Sequence, residues 1–456
     1  MSTIPTVSFD DVPVRPFHLR IATAGAAGQF SDGYILGIIG ISSAIAAPQL
    51  GLNSVWLGLV GAGSLAGLFF GALIGGLAMD RLGRRQIMVW DMLPFAILSA
   101  LQFFVQDAAQ LLVLRVALGL LLGLDYVAGK AFVSEFTPKN YRGRLMSVLA
   151  LAWATGYTGA YVIGYAMRSL GPDSWRWMLA SSAIPAVLGL IFRIGLPESP
   201  RWLVKKNRVK EARAIVSARL GDDVALPESV IAIEKVSRPY STLFSAKWRR
   251  RTWVGCIFYI CHILPYFALS TYMPRVMSAL NVSNGFTAGL IYNFLVFLGA
   301  IFGMFISDRI SRRAYLVWGF FIEGVLLVPL VLIDGLSPIL VVTMFAAFGF
   351  LLSASDNLGY IYPPELFPTE VRAAGIGLVV AASRIGGALG TFALPVIVSA
   401  YGVKFALGIC AGALLLGAFV CQIWAPETAN MNLADASGEG DKENPAPAAR
   451  QAGSGL

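Results

Sequence analysis

Ionisable residues that interrupt apolar helices are where the chemistry of this chain must lie. Arg115, Asp125 and Lys130 fall within one stretch, Arg115 to Arg144, that begins apolar and ends in a Glu–Pro–Arg–Gly turn. A charge at a bilayer centre costs ~3 kcal/mol or more, and such residues face a bundle interior or a water-filled cavity. At 100° per residue, Arg115, Gly119, Tyr126 and Lys130 share a wall about 60° wide, with Asp125 to one side. Two cations and an aromatic ring on one wall read as the lining of a transport pathway. Asp32 is a lone carboxylate in the first apolar run. His262, Asp356 and Arg384 are further ionisable groups inside apolar runs. An enzyme is not expected, because no nucleophile–base pair or phosphate loop is recognisable. The four cysteines form no C-x-x-C and neither histidine completes a metal set, so no metal or other cofactor is expected.

The elements that must position these groups are membrane helices. The chain is 57% hydrophobic and only 13% charged, against about 25% charged in soluble proteins, with a mean hydropathy of +0.69. Most charges sit in short blocks between long apolar runs. The net charge of +9 would suggest nucleic acid in a soluble protein. Here the basic blocks Arg81/Arg84/Arg85, Lys139/Arg142/Arg144, Arg201 to Arg213, Lys247 to Arg251 and Arg309/Arg312/Arg313 occupy alternate loops, as the positive-inside rule requires. Both termini are thereby placed in the cytoplasm, in an inner or plasma membrane, with lipid and not nucleic acid as the large partner. No cleavable signal peptide is visible.

The pattern predicts an all-α membrane protein with twelve spans in two six-helix bundles. A leader covers residues 1–20, the first bundle 21–195, a polar and basic cytoplasmic linker with short interfacial helices 196–252, the second bundle 253–425, and a disordered tail 426–456. Glycines 63, 67, 71 and 75 make a smooth stripe for helix packing. The halves repeat: Asp80-Arg81-x-Gly-Arg-Arg returns as Asp308-Arg309-x-Ser-Arg-Arg, Glu135-x-x-Pro-x-x-x-Arg142 as Glu365-x-x-Pro-x-x-x-Arg372, and Pro197-Glu198-Ser199 as Pro426-Glu427-Thr428, at nearly equal separations. Parallel repeats around a central site are a transporter architecture.

Over residues 20 to 428 the chain resembles the major facilitator superfamily. Gly76-x-x-x-Asp80-Arg81-x-Gly83-Arg84-Arg85 matches that superfamily's loop signature, and the Arg115…Glu135-x-x-Pro138-x-x-x-Arg142 run with the Pro-Glu-Ser/Thr exits is similar to the sugar-porter and organic-ion branches. The physical sense of these motifs is a cytoplasmic gate. Asp80, Arg81, Arg85, Glu135, Arg142 and Glu198 in one half, with Asp308, Arg309, Glu365, Arg372 and Glu427 in the other, are expected to form bridges that hold the halves closed on the inside. The segment around Asp32 resembles proton-coupled sugar porters and aromatic-acid symporters. In the sugar porters this acid pairs with an arginine matched here by Arg115, and the pair implies proton coupling.

The same resemblance puts Cys261, His262, Phe267, Tyr360, Ser383 and Arg384 where sugar porters carry sugar-binding residues. Hydroxyl-reading amides are replaced by cations and aromatics, which suits a carboxylate or other anion on an apolar or aromatic body. The expected substrate wall is Asp125, Tyr126, Lys130, Tyr157, His262, Tyr266, Phe267, Asp356, Tyr360 and Arg384. Arg384 can instead neutralise Asp356, Lys130 can snorkel to the cytoplasmic edge, and His262 can be a packed core residue. The function implied is symport of a small organic anion with protons by a monomer. Alternatives are an organic-cation or drug:proton antiporter using Asp32, Asp125, Glu323 and Asp356, a sugar symporter, a phosphate symporter (from Asp125-Tyr126), or a non-transporting sensor.

Overall fold

A computed structural model describes residues 7–138, 141–226, 239–307, 309–367 and 371–429. Twelve helices among them are long and apolar enough to cross a membrane: α1 (Pro16–Gln49), α2 (Ser54–Gly76), α3 (Arg84–Phe104), α4 (Ala108–Phe136), α5 (Gly143–Leu170), α6 (Ser174–Arg193), α7 (Arg249–Thr271), α8 (Gly285–Ile306), α9 (Arg312–Leu332), α10 (Pro338–Leu366), α11 (Ala374–Tyr401) and α12 (Val403–Trp424). Two are interrupted at or next to an aspartate. The helix in α3 ends at Trp90 and resumes at Met92, leaving Asp91 between the pieces. In α10 the pieces meet at Asn357, next to Asp356.

Small residues set the closest helix contacts. The α2 glycine stripe lies on α4: a Cβ on Gly67 would overlap the Val116 carbonyl, and one on Gly71 the Leu120 carbonyl. Gly119 and Gly123 repeat this from the α4 side, against Ser64, Leu68 and Ala72. Gly33 and Gly156 bring α1 and α5 together in the same way, Gly33 against the Trp153 carbonyl and Gly156 against that of Phe30. In lipid, where apolar burial gives no drive, such close approach supplies the association through van der Waals contact.

The halves meet at their extracellular ends. The Tyr272 hydroxyl donates to the Leu57 carbonyl at 2.6 Å, Thr158 Oγ1 to the Asn293 carbonyl at 3.1 Å, and Tyr165 and Thr287 share a hydrogen bond of 3.1 Å. Each joins one bundle to the other.

The first span begins at Pro16, earlier than the sequence pattern places it. The leader is also more than a polar tail. Phe9 and Val12 are buried against Val216, Leu220 and Val224 of the linker, and Arg201 pairs with Asp10 at 2.5 Å. The linker contains the helices Pro200–Lys205 and Val209–Leu220. The tail beyond 429 lies outside the described residues.

Overpacking a tight contact costs ~1–3 kcal/mol. Gly71→Val is therefore expected to lower the thermal unfolding midpoint of the detergent-purified protein, whereas Gly76→Ala, with nothing within 4 Å of its added Cβ, leaves it unchanged.

Candidate functional site

The α2 contact fixes the rotation of α4 and thereby separates residues that the sequence placed on one wall. Arg115 and Gly119 turn into the first bundle, Asp125 faces α1, α3 and α6, and only Tyr126 and Lys130 reach the centre. Arg115 is fully buried. Its Nη1 donates to the Ile35 carbonyl at 3.0 Å, while Nε and Nη2 have no hydrogen-bond partner. The expected Asp32–Arg115 pair is not formed in this conformation. The guanidinium facing Asp32 is that of Arg193, at the end of α6. Arg193 Nη1 lies 2.6 Å from Asp125 and 3.1 Å from Asp91, and also donates to the Met88 carbonyl at 2.6 Å. Asp32 accepts from Gln29 Nε2 at 3.2 Å. Asp125 thus belongs to this interior cluster and not to the substrate wall. Sequence reasoning missed Asp91 and Arg193. Arg193 sits at a span end, where a basic residue normally marks topology, but Asp91 inside an apolar run was a legible signal.

Two small adjoining cavities lie between the halves, sharing Trp153, Tyr266, Asp356 and Tyr360. The first is also lined by Tyr126, Tyr259, Ile263, Phe267 and Arg384, and the second by Ser353 and Asn357 among others. Lys130 does not snorkel away. Its Nζ stands 3.5 Å from the Tyr126 ring centre and 4.4 Å from that of Tyr360, and the Arg384 guanidinium is 4.9 Å from the Tyr126 ring. Such cation–π contacts are worth ~0.5–2 kcal/mol. Neither cation forms an ion pair within 4 Å in the described residues, so Arg384 does not directly neutralise Asp356. Trp153 and Tyr259, absent from the sequence-derived wall, complete the aromatic lining.

Two expected wall residues stand behind the lining. Tyr157 stacks on Trp153 at 5.4 Å and contacts Tyr266 at 6.4 Å. The buried His262 ring stacks on Phe320, with Nε2 3.5 Å from Asp356 and Nδ1 4.0 Å from Glu323, and Glu323 accepts from Ser355 at 2.6 Å. His262 therefore stands behind Asp356, close to it but without a hydrogen bond between them.

The cytoplasmic motifs form two matching networks, each inside one half. Glu198 caps the start of α3, accepting from the Arg84 N–H at 3.0 Å and the Arg85 N–H at 3.1 Å. Glu427 does the same for α9, accepting from Arg312 N–H at 3.0 Å and Arg313 N–H at 3.3 Å. Arg84 pairs with Glu135 at 3.0 Å and Arg312 with Glu365 at 3.5 Å. Ser199 donates to Glu135, and Thr428 to Glu365 at 2.6 Å. Gly83 has φ 104°, and a Cβ there would overlap the Glu198 carboxylate. Its repeat partner Ser311 instead donates its hydroxyl to Glu427. The described bridges tie helix ends within a bundle; none of them crosses between halves as the gate reading expects. Arg372 Nε donates to the Phe367 carbonyl at 3.0 Å, and Arg81 and Arg309 are exposed. Asp308 and the side chains of Asp80 and Arg142 lie outside the described residues. Burial pushes the Glu427 carboxyl up, but hydrogen bonds from Ser311 and from the Ala429, Arg312 and Arg313 N–H groups outweigh it and hold the carboxyl below the usual range.

A family profile described as "Sugar (and other) transporter" matches residues 22–438. The chain is 36% identical over 440 residues to the inner membrane metabolite transport protein YgcS of Escherichia coli (strain K12), covering 96% of this chain and 98% of that protein. It is 26% identical over 459 residues to the arabinose-proton symporter of Bacillus subtilis (strain 168), covering 95% of this chain and 98% of that one. The partially occluded, inward-open structure of the xylose transporter XylE from E. coli aligns with a TM-score of 0.76 at 19% identity, over 92% of this chain and all of that one.

A charge-assisted hydrogen bond is worth about 1.5–3 kcal/mol. Glu198→Gln is therefore expected to speed amide hydrogen exchange at Arg84 and Arg85 on the order of tenfold or more. The depressed Glu427 carboxyl stabilises its network at neutral pH and down past the ordinary carboxylate value, and is lost only as pH falls through its lowered one. Protection at Arg312 and Arg313 should accordingly persist to mildly acid pH and fail below it.

Proposed function

The chain belongs to the sugar (and other) transporter family of the major facilitator superfamily, and from that premise we propose that it is a proton-coupled symporter of a small organic anion, a carboxylate held between Lys130 and Arg384. It is a multi-pass membrane protein and a secondary transporter. The observation that carries the anion reading is the division of the cavity. The first half contributes Tyr126, with Lys130 against its ring, and the second Tyr360 and Arg384; the two cations rest on aromatic rings and, among the described residues, neither has a carboxylate within 4 Å. A substrate carboxylate bonding to both replaces weak cation–π contacts with charge-assisted hydrogen bonds and draws the halves together around it. Trp153, Tyr266 and Phe267 take the body of the molecule.

Proton coupling fits the electrostatics of such a substrate. Moving one negative charge inward against a membrane potential costs ~2.3 kcal/mol per 100 mV; one accompanying proton on the buried acid Asp32 cancels that cost. The organic-cation reading keeps only Asp356 at the cavity, because Asp32 and Asp125 face Arg193 and Glu323 is engaged by Ser355. A neutral sugar is the second reading. Asp356, Asn357 and Ser353 at the cavity offer hydroxyl partners, and a relative is named for arabinose.

A thermal-shift screen of the purified protein against carboxylates, aromatic acids, neutral sugars and amines decides between them; stabilisation by neutral sugars alone would discard the anion reading. For the anion found, Arg384→Gln is expected to weaken binding about 10- to 100-fold, and Arg384→Lys to restore it only in part, having no planar fork. Because Arg384 and Asp356 form no ion pair, Asp356→Asn added to Arg384→Gln should not recover the loss. Asp32→Asn is expected to abolish accumulation driven by a pH gradient in proteoliposomes while sparing substrate exchange.

A further inference from the structure

The charge count around Arg193 does not balance. Its guanidinium, permanently protonated, is fully buried at the meeting point of α1, α3, α4 and α6, and three buried carboxyls face it: Asp32, Asp91 and Asp125. Asp91 and Asp125 approach the same nitrogen, at 3.1 and 2.6 Å, and lie within hydrogen-bonding reach of one another. Gly28 admits the cluster to the α1 backbone, since a Cβ there would overlap both Arg193 and Asp125. The other polar or charged groups facing it are Gln29 from α1 and Lys130 from α4. One oxygen on each of Asp32 and Asp91, and both on Asp125, have no hydrogen-bond donor among the described residues, although all three carboxyls are at most 6% exposed.

We propose that Asp32, Asp91 and Asp125 around Arg193 form the proton-binding site of this transporter, one proton being shared among the three carboxyls. Three ionised carboxylates against one guanidinium would leave two buried negative charges without a counter-charge; one shared proton halves that excess and so lowers the cost of burying the cluster in a low-dielectric interior. The bound proton also gives one of the orphaned oxygens a donor. Coupling runs along α4. Asp125 belongs to the cluster, while Tyr126, the next residue, lines the cavity and Lys130, little more than one turn on, lies against the Tyr126 and Tyr360 rings that line it. Lys130 carries its positive charge five residues beyond Asp125 on the same helix. A substrate carboxylate on Lys130 cancels that field, so the cluster holds its proton more tightly. By linkage the protonated cluster binds the anion more tightly to the same degree.

The coupling role rests on the transport reading; the proton's presence does not, and it can be tested without a substrate. Infrared difference spectra of the purified protein, titrated in H2O and D2O, report the C=O stretch of protonated carboxyls. The wild type is expected to show such a band at neutral pH. Asp91→Asn and Asp125→Asn should each reduce it, and the double variant should lose the share they contribute. Glu323→Gln, in the other half, serves as the reference for unrelated acids. If one single variant does not fold, the other carries the test. Absence of the band in the wild type, or an unchanged band in the variants that fold, overturns the proposal. In proteoliposomes, Asp91→Asn and Asp125→Asn should shift the pH profile of substrate exchange; a merely structural role would lower exchange equally at all pH. A band that responds as expected in a protein that accumulates no compound under a pH gradient would reject the symport reading and leave the proton site standing.

Discussion

An ionised group inside a hydrocarbon layer must find a partner, and this protein meets that requirement in three different ways. In the first bundle Arg193 gathers Asp32, Asp91 and Asp125, with carboxylates in excess of cations. In the second, His262 sits between Glu323 and Asp356. At the interface, Lys130 and Arg384 rest on tyrosine rings, and neither forms an ion pair within 4 Å among the described residues, although Asp356 lines the same cavity as Arg384. Excess acid on one side and cations without an ion pair on the other are the features on which the proposed symport of a proton and an anion rests. Its energetics follow from the cost of burying charge.

The two halves are alike where they are anchored and unlike where they act. At the cytoplasmic ends, each glutamate of a Pro-Glu-Ser/Thr exit caps a helix start, and each arginine beside it bridges to the end of a neighbouring span. These bonds make each bundle a stiff unit, as alternating access by rocking halves requires. On the outside the halves are joined by neutral hydrogen bonds such as Tyr272 to Leu57. Such bonds contribute only about 0.5–1.5 kcal/mol each, so the outer contact is made of individually weak links. The central positions have diverged: Tyr126 and Lys130 in α4 face Tyr360 in α10 and Arg384 in α11.

The sequence by itself determined the membrane class, the twelve spans, the repeat, the orientation and the glycine stripe. These depend on local properties: apolar length, loop charge and motif order, which the bilayer converts directly into topology. It also pointed to most of the cavity, because Tyr126, Lys130, Tyr266, Phe267, Tyr360 and Arg384 are conspicuous against apolar surroundings. Only the tertiary structure decided which charges meet. Arg115 and Arg193 are both arginines in the first bundle, and no local pattern says which faces Asp32. That depends on how deeply each helix is set and how it is rotated, and for α4 the rotation is imposed by glycine contacts with α2 that remove Arg115 from the central wall. The same rotation moves Asp125 away from its neighbour Tyr126, since adjacent helical residues point about 100° apart and face different partners. Side-chain direction around a packed helix is a property of its neighbours, and those neighbours come from distant parts of the chain.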